Sequence, residues 1–361
     1  MRVLIAPDKF AGTLTAVEAA AAIATGWTRH APADELDLAP MADGGPGFVD
    51  VLHAALGGEL LAVTVRGPAG EAQPATVLRA GDTAYVESAQ ACGLHLTRGE
   101  GTEEGTTYGV GELLDEAVEG GARTVVVGLG GSGTNDGGAG LLAALGATAD
   151  APLDRGAAGL EGVTTVDLSA ARARLGGVRL VAATDVDSPL TGLFGATKTF
   201  GPQKGIAEER LPAVDGLLET FAAATDRRTA LAKGAGAAGG LGFALLTLGA
   251  ARRPGVELVA EALDLAGRAR VADLVVTGEG AFDFSSRSGK VPYGVAQVAE
   301  AALRPCVALA GKVLVGSREM RALGIESAYS LVDLVGEERA FAAPAEALAE
   351  LAARVARTWS R

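Results

Sequence analysis

Five apolar, largely β-branched runs in this chain each end in a cluster of Gly, Asp, Glu or Lys, and this repetition limits what the chain can fold into. Val3-Leu4-Ile5 leads to Pro7-Asp8-Lys9, and Val125-Val126-Val127 leads to Gly128-Leu129-Gly130-Gly131-Ser132-Gly133-Thr134-Asn135-Asp136. Leu180-Val181-Ala182 precedes Asp185, Leu274-Val275-Val276 precedes Gly278-Glu279-Gly280, and Val307-Ala308-Leu309 precedes Gly311-Lys312. Short runs of this kind, alternating with Ala/Leu-rich helical stretches, read as buried strands of a parallel sheet. Ligands of open α/β sheets bind beyond the carboxyl ends of such strands, so the polar clusters are expected to serve one site. Their chemistry suits an anionic, phosphate-bearing ligand.

At 361 residues the chain is expected to form two α/β domains rather than one. Its two ends alternate strand and helix. Between them, Leu61–Arg66, Ala75–Leu78 and Ala84–Glu87, separated by turn signals such as Gly67-Pro68-Ala69-Gly70, read as an antiparallel meander. The simplest layout is a discontinuous, Rossmann-like parallel-sheet domain from 1–60 together with 270–361, and an inserted mixed α/β domain over 61–269. Thr15-Ala16-Val17-Glu18 fits a capping box that starts the first helix. Leu331–Val335 reads as a weak last strand.

A formal charge of -13 argues against nucleic acid or an anionic membrane as partner, because a phosphate backbone is met by a basic face. Two distant cysteines, Cys92 and Cys306, make neither a disulfide framework nor a zinc site and fit a reducing cytoplasm. Gly234 to Ala251 carries no charge over eighteen residues, but six are glycine. A buried, closely packed helix is expected there, not a membrane span.

Gly128-Leu129-Gly130-Gly131-Ser132-Gly133 matches GxGxxG, with Asp150 about twenty residues on, so an NAD-dependent dehydrogenase is one reading. The residues after these glycines point elsewhere. Ser132, Thr134, Asn135 and Asp136 put hydroxyls, an amide and a carboxylate before the next helix, where backbone N–H groups can hold phosphate and Asp136 can either help hold Mg²⁺ or cap the helix. Lysines number only six, and Lys9, Lys204, Lys233, Lys290 and Lys312 all fall in or beside the polar clusters. A compact ammonium suits a transferring phosphoryl group. Of the carboxylates at strand ends, Asp8, Asp43, Asp185, Glu279 and Asp283, Asp185 is the first choice for base or metal ligand, while Asp187 reads as an Asx turn. The three histidines show no metal spacing.

Together these segments resemble the type I glycerate kinases. The resemblance rests on Ala6-Pro7-Asp8-Lys9-Phe10, Pro40-Met41-Ala42-Asp43-Gly44-Gly45, Val127 to Gly140, Ala183-Thr184-Asp185-Val186, Phe200-Gly201-Pro202-Gln203-Lys204-Gly205, Gly234 to Gly242, Thr277-Gly278-Glu279-Gly280 and Gly289-Lys290-Val291-Pro292, in family order along almost the whole chain. It implies two α/β domains with the active site in the cleft between them, and transfer of the ATP γ-phosphate, with Mg²⁺, to a hydroxyl of D-glycerate, commonly O2. On this reading Asp8, Lys9, Asp185 and Lys290 are catalytic. Gly130, Gly131, Ser132, Thr134, Asn135, Lys204 and Glu279 hold ATP; Asp43, Gly44, Gly45, Asp283 and Arg287 hold substrate; Asp136 and Asp185 hold the metal. A homodimer stands among the possible assemblies.

The chain departs from the family pattern where Pro46 replaces a usual Glu, Ala281 a usual Arg, and Ala11 a frequent Lys. Arg287 is a candidate for supplying the missing cation. These departures keep open a kinase acting on another small hydroxy acid.

Overall fold

The computed structural model describes residues 1–10, 12–283 and 290–360. The strands run in chain order as β1 (Arg2–Pro7), β2 (Glu35–Leu38), β3 (Glu59–Arg66), β4 (Ala72–Ala80), β5 (Thr83–Glu87), β6 (Thr124–Gly128), β7 (Thr148–Ala149), β8 (Val166–Asp167), β9 (Arg179–Ala183), β10 (Ala251–Arg253), β11 (Leu274–Phe282), β12 (Cys306–Val313) and β13 (Ser327–Ser330). They divide between two compact units, one of residues Met1–Asp43, Asp50–Leu56 and Gly255–Arg361, the other of Gly44–Val49 and Gly57–Pro254.

The first unit holds a five-stranded sheet in the order β13-β12-β11-β1-β2, every pairing parallel. The apolar runs lie where both faces are covered: Val3, Leu4, Ile5, Leu274 and Val276 are fully buried. Val3, Ile5, Leu274, Val276, Val307 and Leu309 share a core with Ile23, Trp27, Leu348 and Val355. Helix Ala16–His30 begins with the capping box expected at Thr15 and Glu18 and packs against helix Pro344–Trp359. The two backbones approach so closely that a Cβ on Gly26 would sit 1.9 Å from the Ala349 carbonyl oxygen. The chain re-enters this unit at Gly255, ahead of position 270, because helices Gly255–Ala262 and Leu265–Val271 belong to it. Arg268 reaches back to Asp37 at 3.0 Å and to the Leu38 carbonyl at 2.6 Å.

Leu331–Val335 is a helix, not the strand expected from its valines. The Ser330 hydroxyl accepts the Asp333 N–H and starts the helix, so the edge strand β13 stops just before it.

The second unit carries a six-stranded sheet, β10-β9-β6-β5-β4-β3. The meander is present: β3, β4 and β5 pair antiparallel, with Val63 opposite Ala75 and Leu78 opposite Tyr85. From β5 onward the pairings are parallel, so the sheet is mixed. The glycine-rich stretch after Gly234 forms a turn over Ala237–Gly240 and a helix of only seven residues, Leu241–Thr247. Its length is cut by Ala238, Gly239 and Gly240, all at positive φ. Among the described residues no helix is long and apolar enough to cross a membrane.

The helix contact at Gly26 gives a sharp test. Gly26→Ala is expected to lower stability by about 1–3 kcal/mol through overpacking against Ala349. Gly216→Ala, in helix Leu211–Thr225 where a Cβ meets nothing within 4 Å, should instead be neutral or stabilising by up to ~1 kcal/mol. Urea midpoints for the two variants check the contrast.

Candidate functional site

In the first unit the chain runs from β1 outward to β2, then returns on the other side of β1 as β11 and continues to β12 and β13. The carboxyl ends of β1 and β11 are therefore a topological switch point, the place where open α/β sheets take ligands. Asp8 follows β1 there, its N–H bonded to the Gly278 carbonyl at 2.8 Å. The Met41 N–H bonds the Pro7 carbonyl at 2.9 Å, which carries the segment after β2 along the same edge. The Lys9 ammonium lies 3.6 Å from Asp8 and 3.5 Å from Asp43. Along β11, the Lys290 ammonium lies 3.7 Å from Glu279 and 3.6 Å from Asp283. Two lysines thus each stand between two carboxylates.

These groups border a pocket of about 450 Å³, to which Gly280, Ala281, Gly311 and Lys312 also contribute. Glycine is required in its lining at Gly311, where a Cβ would sit 2.3 Å from the Gly280 carbonyl oxygen. Asp8 is 7% exposed, and burial raises its carboxyl to about 7, with Asp43 and Glu279 adding to the rise and Lys9 opposing it. Arg287 lies outside the described residues. Ala281 stands opposite Lys312 in the β11–β12 register, so a cation borders the pocket beside the position where the family pattern has Arg. Lys312 is absent from the site residues expected from sequence, although Gly311-Lys312 after a strand is a signal that could have found it.

In the second unit the sequence places phosphate at Gly130, Gly131, Ser132, Thr134 and Asn135. Much of that turn is packed against backbone. The Gly130 N–H donates to the Gly44 carbonyl at 3.1 Å, and a Cβ on Gly130 would lie 2.4 Å from the Gly45 Cα. Gly131, at φ +71, has no room for a Cβ because Pro46 Cδ would be 2.7 Å away. The Gly133 N–H donates to the Cys92 carbonyl at 2.7 Å, and the Gly137 N–H to the Gly239 carbonyl at 2.9 Å. The two glycine-rich stretches dock on each other: a Cβ on Gly239 would fall 2.0 Å from the Thr134 carbonyl oxygen.

Lys204 is buried, its ammonium donating to the Ser132 hydroxyl at 2.9 Å and the Thr134 carbonyl at 2.7 Å. Burial lowers it to about 8, with Cys92 and Asp136 opposing. Asn135 donates to the Thr197 hydroxyl at 2.9 Å, while its buried Oδ1 has no hydrogen-bond partner among the described residues. Asp136 is fully buried and accepts from the Thr107 N–H and hydroxyl and from the Gly138 and Gly140 N–H groups, at 2.7 to 3.1 Å. Burial raises its carboxyl above the usual range despite those bonds. Of the two roles open to Asp136 in sequence, this geometry supports the cap.

Asp185 lies just beyond β9, after Thr184, whose N–H bonds the Arg253 carbonyl at 2.9 Å. Asp187 pairs with Lys233 at 3.0 Å and Arg252 at 2.6 Å on the surface, which accounts for Lys233 as well. In the same unit Glu87, buried at the end of β5, accepts the Gly47 N–H at 3.0 Å and holds the turn that comes after Gly44 and Gly45.

The geometry does not support the dehydrogenase reading. A dinucleotide fingerprint needs a helix opening directly on the glycine turn, whereas here the next helix, Ala139–Ala144, starts well after Gly133 and spans six residues. Asp150, the would-be ribose ligand, is held well below the usual carboxylate range by bonds from Thr164 and Thr165.

The chain belongs to the glycerate kinase family, whose sequence model matches residues 3–360. It is therefore a transferase, a glycerate kinase. A Bacillus subtilis glycerate kinase is 40% identical over 345 residues, 92% of this chain and 90% of that protein. An Escherichia coli glycerate 2-kinase is 38% identical over 349 residues, 93% of this chain and 92% of its own length. A crystal structure from Salmonella typhimurium LT2, of a protein provisionally named glycerate kinase 2, superposes with a TM-score of 0.82 at 36% identity, covering 99% of this chain and 98% of that one.

Two substitutions separate structural from chemical roles. Lys204→Ala leaves two buried acceptors unpaired and is expected to cost about 2–5 kcal/mol without any ligand, read from urea unfolding; an unchanged midpoint would show that Lys204 does not hold the turn. Asp8 keeps its proton to about pH 7 in the fold but loses it near 3.9 when unfolded. The unfolded chain therefore binds fewer protons between those values, and stability falls as pH rises through that window. Asp8→Asn should melt higher than the parent at pH 8 and equally near pH 4.

Proposed function

We propose that this glycerate kinase transfers the γ-phosphate of ATP to O2 of D-glycerate, giving 2-phosphoglycerate and ADP. The observation that carries the reading is the pocket at the β1/β11 switch point, where Lys9 and Lys290 alternate with Asp8, Asp43, Glu279 and Asp283. Phosphoryl transfer asks little covalent chemistry of a protein, so positioning and charge stabilisation dominate. The two ammonium groups neutralise charge that spreads over the phosphoryl oxygens in the transition state. Asp8 accepts the proton of the attacking hydroxyl, a task for which a carboxyl near 7 is better matched than one near 4. Asp43 orients Lys9, and Glu279 and Asp283 orient Lys290.

Mg²⁺ is the expected companion of the triphosphate, whose charge it neutralises when bound. Such ions are held by one or two carboxylates plus phosphate oxygens and need no preformed cage. Asp8, Asp43 and Glu279 line the pocket and offer carboxylate oxygens of that kind, and among the described residues no group of three His, Cys, Asp or Glu is gathered for a metal. Asp136 is committed to its own helix. The regiochemistry follows the name of the Escherichia coli relative, a glycerate 2-kinase. Cys92 and Cys306, buried and free of any disulfide, support a cytoplasmic setting.

Incubation with Mg-ATP and D-glycerate, with products resolved by phosphorus NMR, tests the reading. Glycerate-dependent ADP release with the signal of the 2-phosphate is expected, and Asp8→Asn should lower kcat by roughly 10²–10⁴-fold. Accumulation of the 3-phosphate would overturn the regiochemistry. ADP release that D-glycerate does not stimulate would point to another hydroxy acid.

A further inference from the structure

The pocket of the first unit has a second end that the charged residues do not explain. Helix Leu331–Val335 begins directly after β13, and helix Glu337–Ala342 comes next through Gly336 at φ +80. Leu331, Val332, Ala340 and Phe341 from these two helices form an apolar wall of the pocket. Phe341 is 59% exposed, so its ring is open to a ligand in the pocket. Lys312 on β12 also lines the pocket, and its ammonium bonds Glu337 at 2.7 Å, tying the second helix to the sheet.

Size and polarity choose the occupant. Glycerate, a three-carbon acid with no apolar surface, would fill a small part of about 450 Å³ and would gain nothing from an aromatic wall. Pockets of ~300–1,000 Å³ take ligands of drug size, with an apolar lining and a few convergent polar groups. A nucleotide matches both ends, since its base has two apolar faces and its phosphates are anionic. Switch points of parallel sheets are also where mononucleotides bind. The glycine turn of the second unit, by contrast, spends the N–H groups of Gly130 and Gly133 on backbone carbonyls.

We propose that the pocket of the first unit is the nucleotide site, with the base lying on the Val332–Phe341 wall and the phosphates passing over Gly280 and Gly311 toward Lys9 and Lys290. This rests on the reading that the phosphoryl donor is a nucleoside triphosphate. Only glycine admits a phosphate chain so close to the strands, because neither β11 nor β12 presents a side chain at those two positions.

Calorimetric titration of ADP into the wild-type protein and into Phe341→Ala tests the assignment. Base stacking on an aromatic side chain supports a loss of about tenfold or more in affinity. The KM for ATP should rise by a similar factor while that for glycerate stays unchanged. An unaltered melting temperature, expected for so exposed a ring, would show that the fold is intact. Photolabelling with 8-azido-ATP provides the second readout and should mark the segment 331–341. Equal ADP affinity in both proteins, label confined to 130–135, or a rise in the glycerate KM alone would each overturn the site. If the wild type binds no ADP at millimolar concentration and releases none from ATP, the donor reading itself falls, an outcome distinct from a misplaced subsite.

Discussion

The first unit exists because β1 pairs with β11. Val3 to Pro7 align with Leu274 to Gly278, strands that the chain separates by the whole of the second unit. Every chemical feature at the switch point depends on that register. It sets Asp8 against Gly278, next to Glu279, and both carboxylates are buried. The same desolvation that buries the strands raises Asp8. Apolar burial and an altered carboxyl are thus one event seen from two ends of a strand.

The charge pattern on this edge explains how a chain of net charge -13 can handle an anion. Lys9 and Lys290 stand within 4 Å of carboxylates, at distances longer than direct hydrogen bonds. Such contacts offset part of the carboxylate charge without closing the site. A phosphate group can then displace a carboxylate from an ammonium instead of entering a strongly repelling field.

Much of this is legible in sequence. Buried parallel strands announce themselves as apolar runs, and Asp8, Lys9, Asp43 and Glu279 are recognisable as polar residues at strand ends. The capping box at Thr15 and the meander from β3 to β5 are equally plain, since both depend on near neighbours. The features that escape a sequence reading depend on distant partners. The glycines of Gly128 to Gly140 look like a ligand cradle, but Gly128, Gly130 and Gly131 have Gly44, Gly45 and Pro46 pressed against them. Lys204 reads in sequence as an ATP-holding lysine, whereas in the fold its ammonium is bonded to two protein acceptors. The valines of Leu331–Val335 suggest a strand, and one hydroxyl, that of Ser330, decides for a helix. Phe341 carries no motif at all; only the fold brings it to the pocket wall.

The interrupted layout of the first unit has a consequence for the protein's synthesis. A ribosome adding ~5–20 residues per second needs between about ten seconds and a minute to travel from β1 to β11. In that interval both segments of the second unit, Gly44–Val49 and Gly57–Pro254, emerge entire. The nascent strand Val3-Leu4-Ile5 meanwhile lacks its neighbour β11, an apolar edge of the kind that chaperones shield. Asp8 gains its buried setting only once Leu274 to Gly278 have been made. Chains released early therefore carry the second unit and an incomplete switch point, and Asp8 is buried only in translation products that reach the last strands.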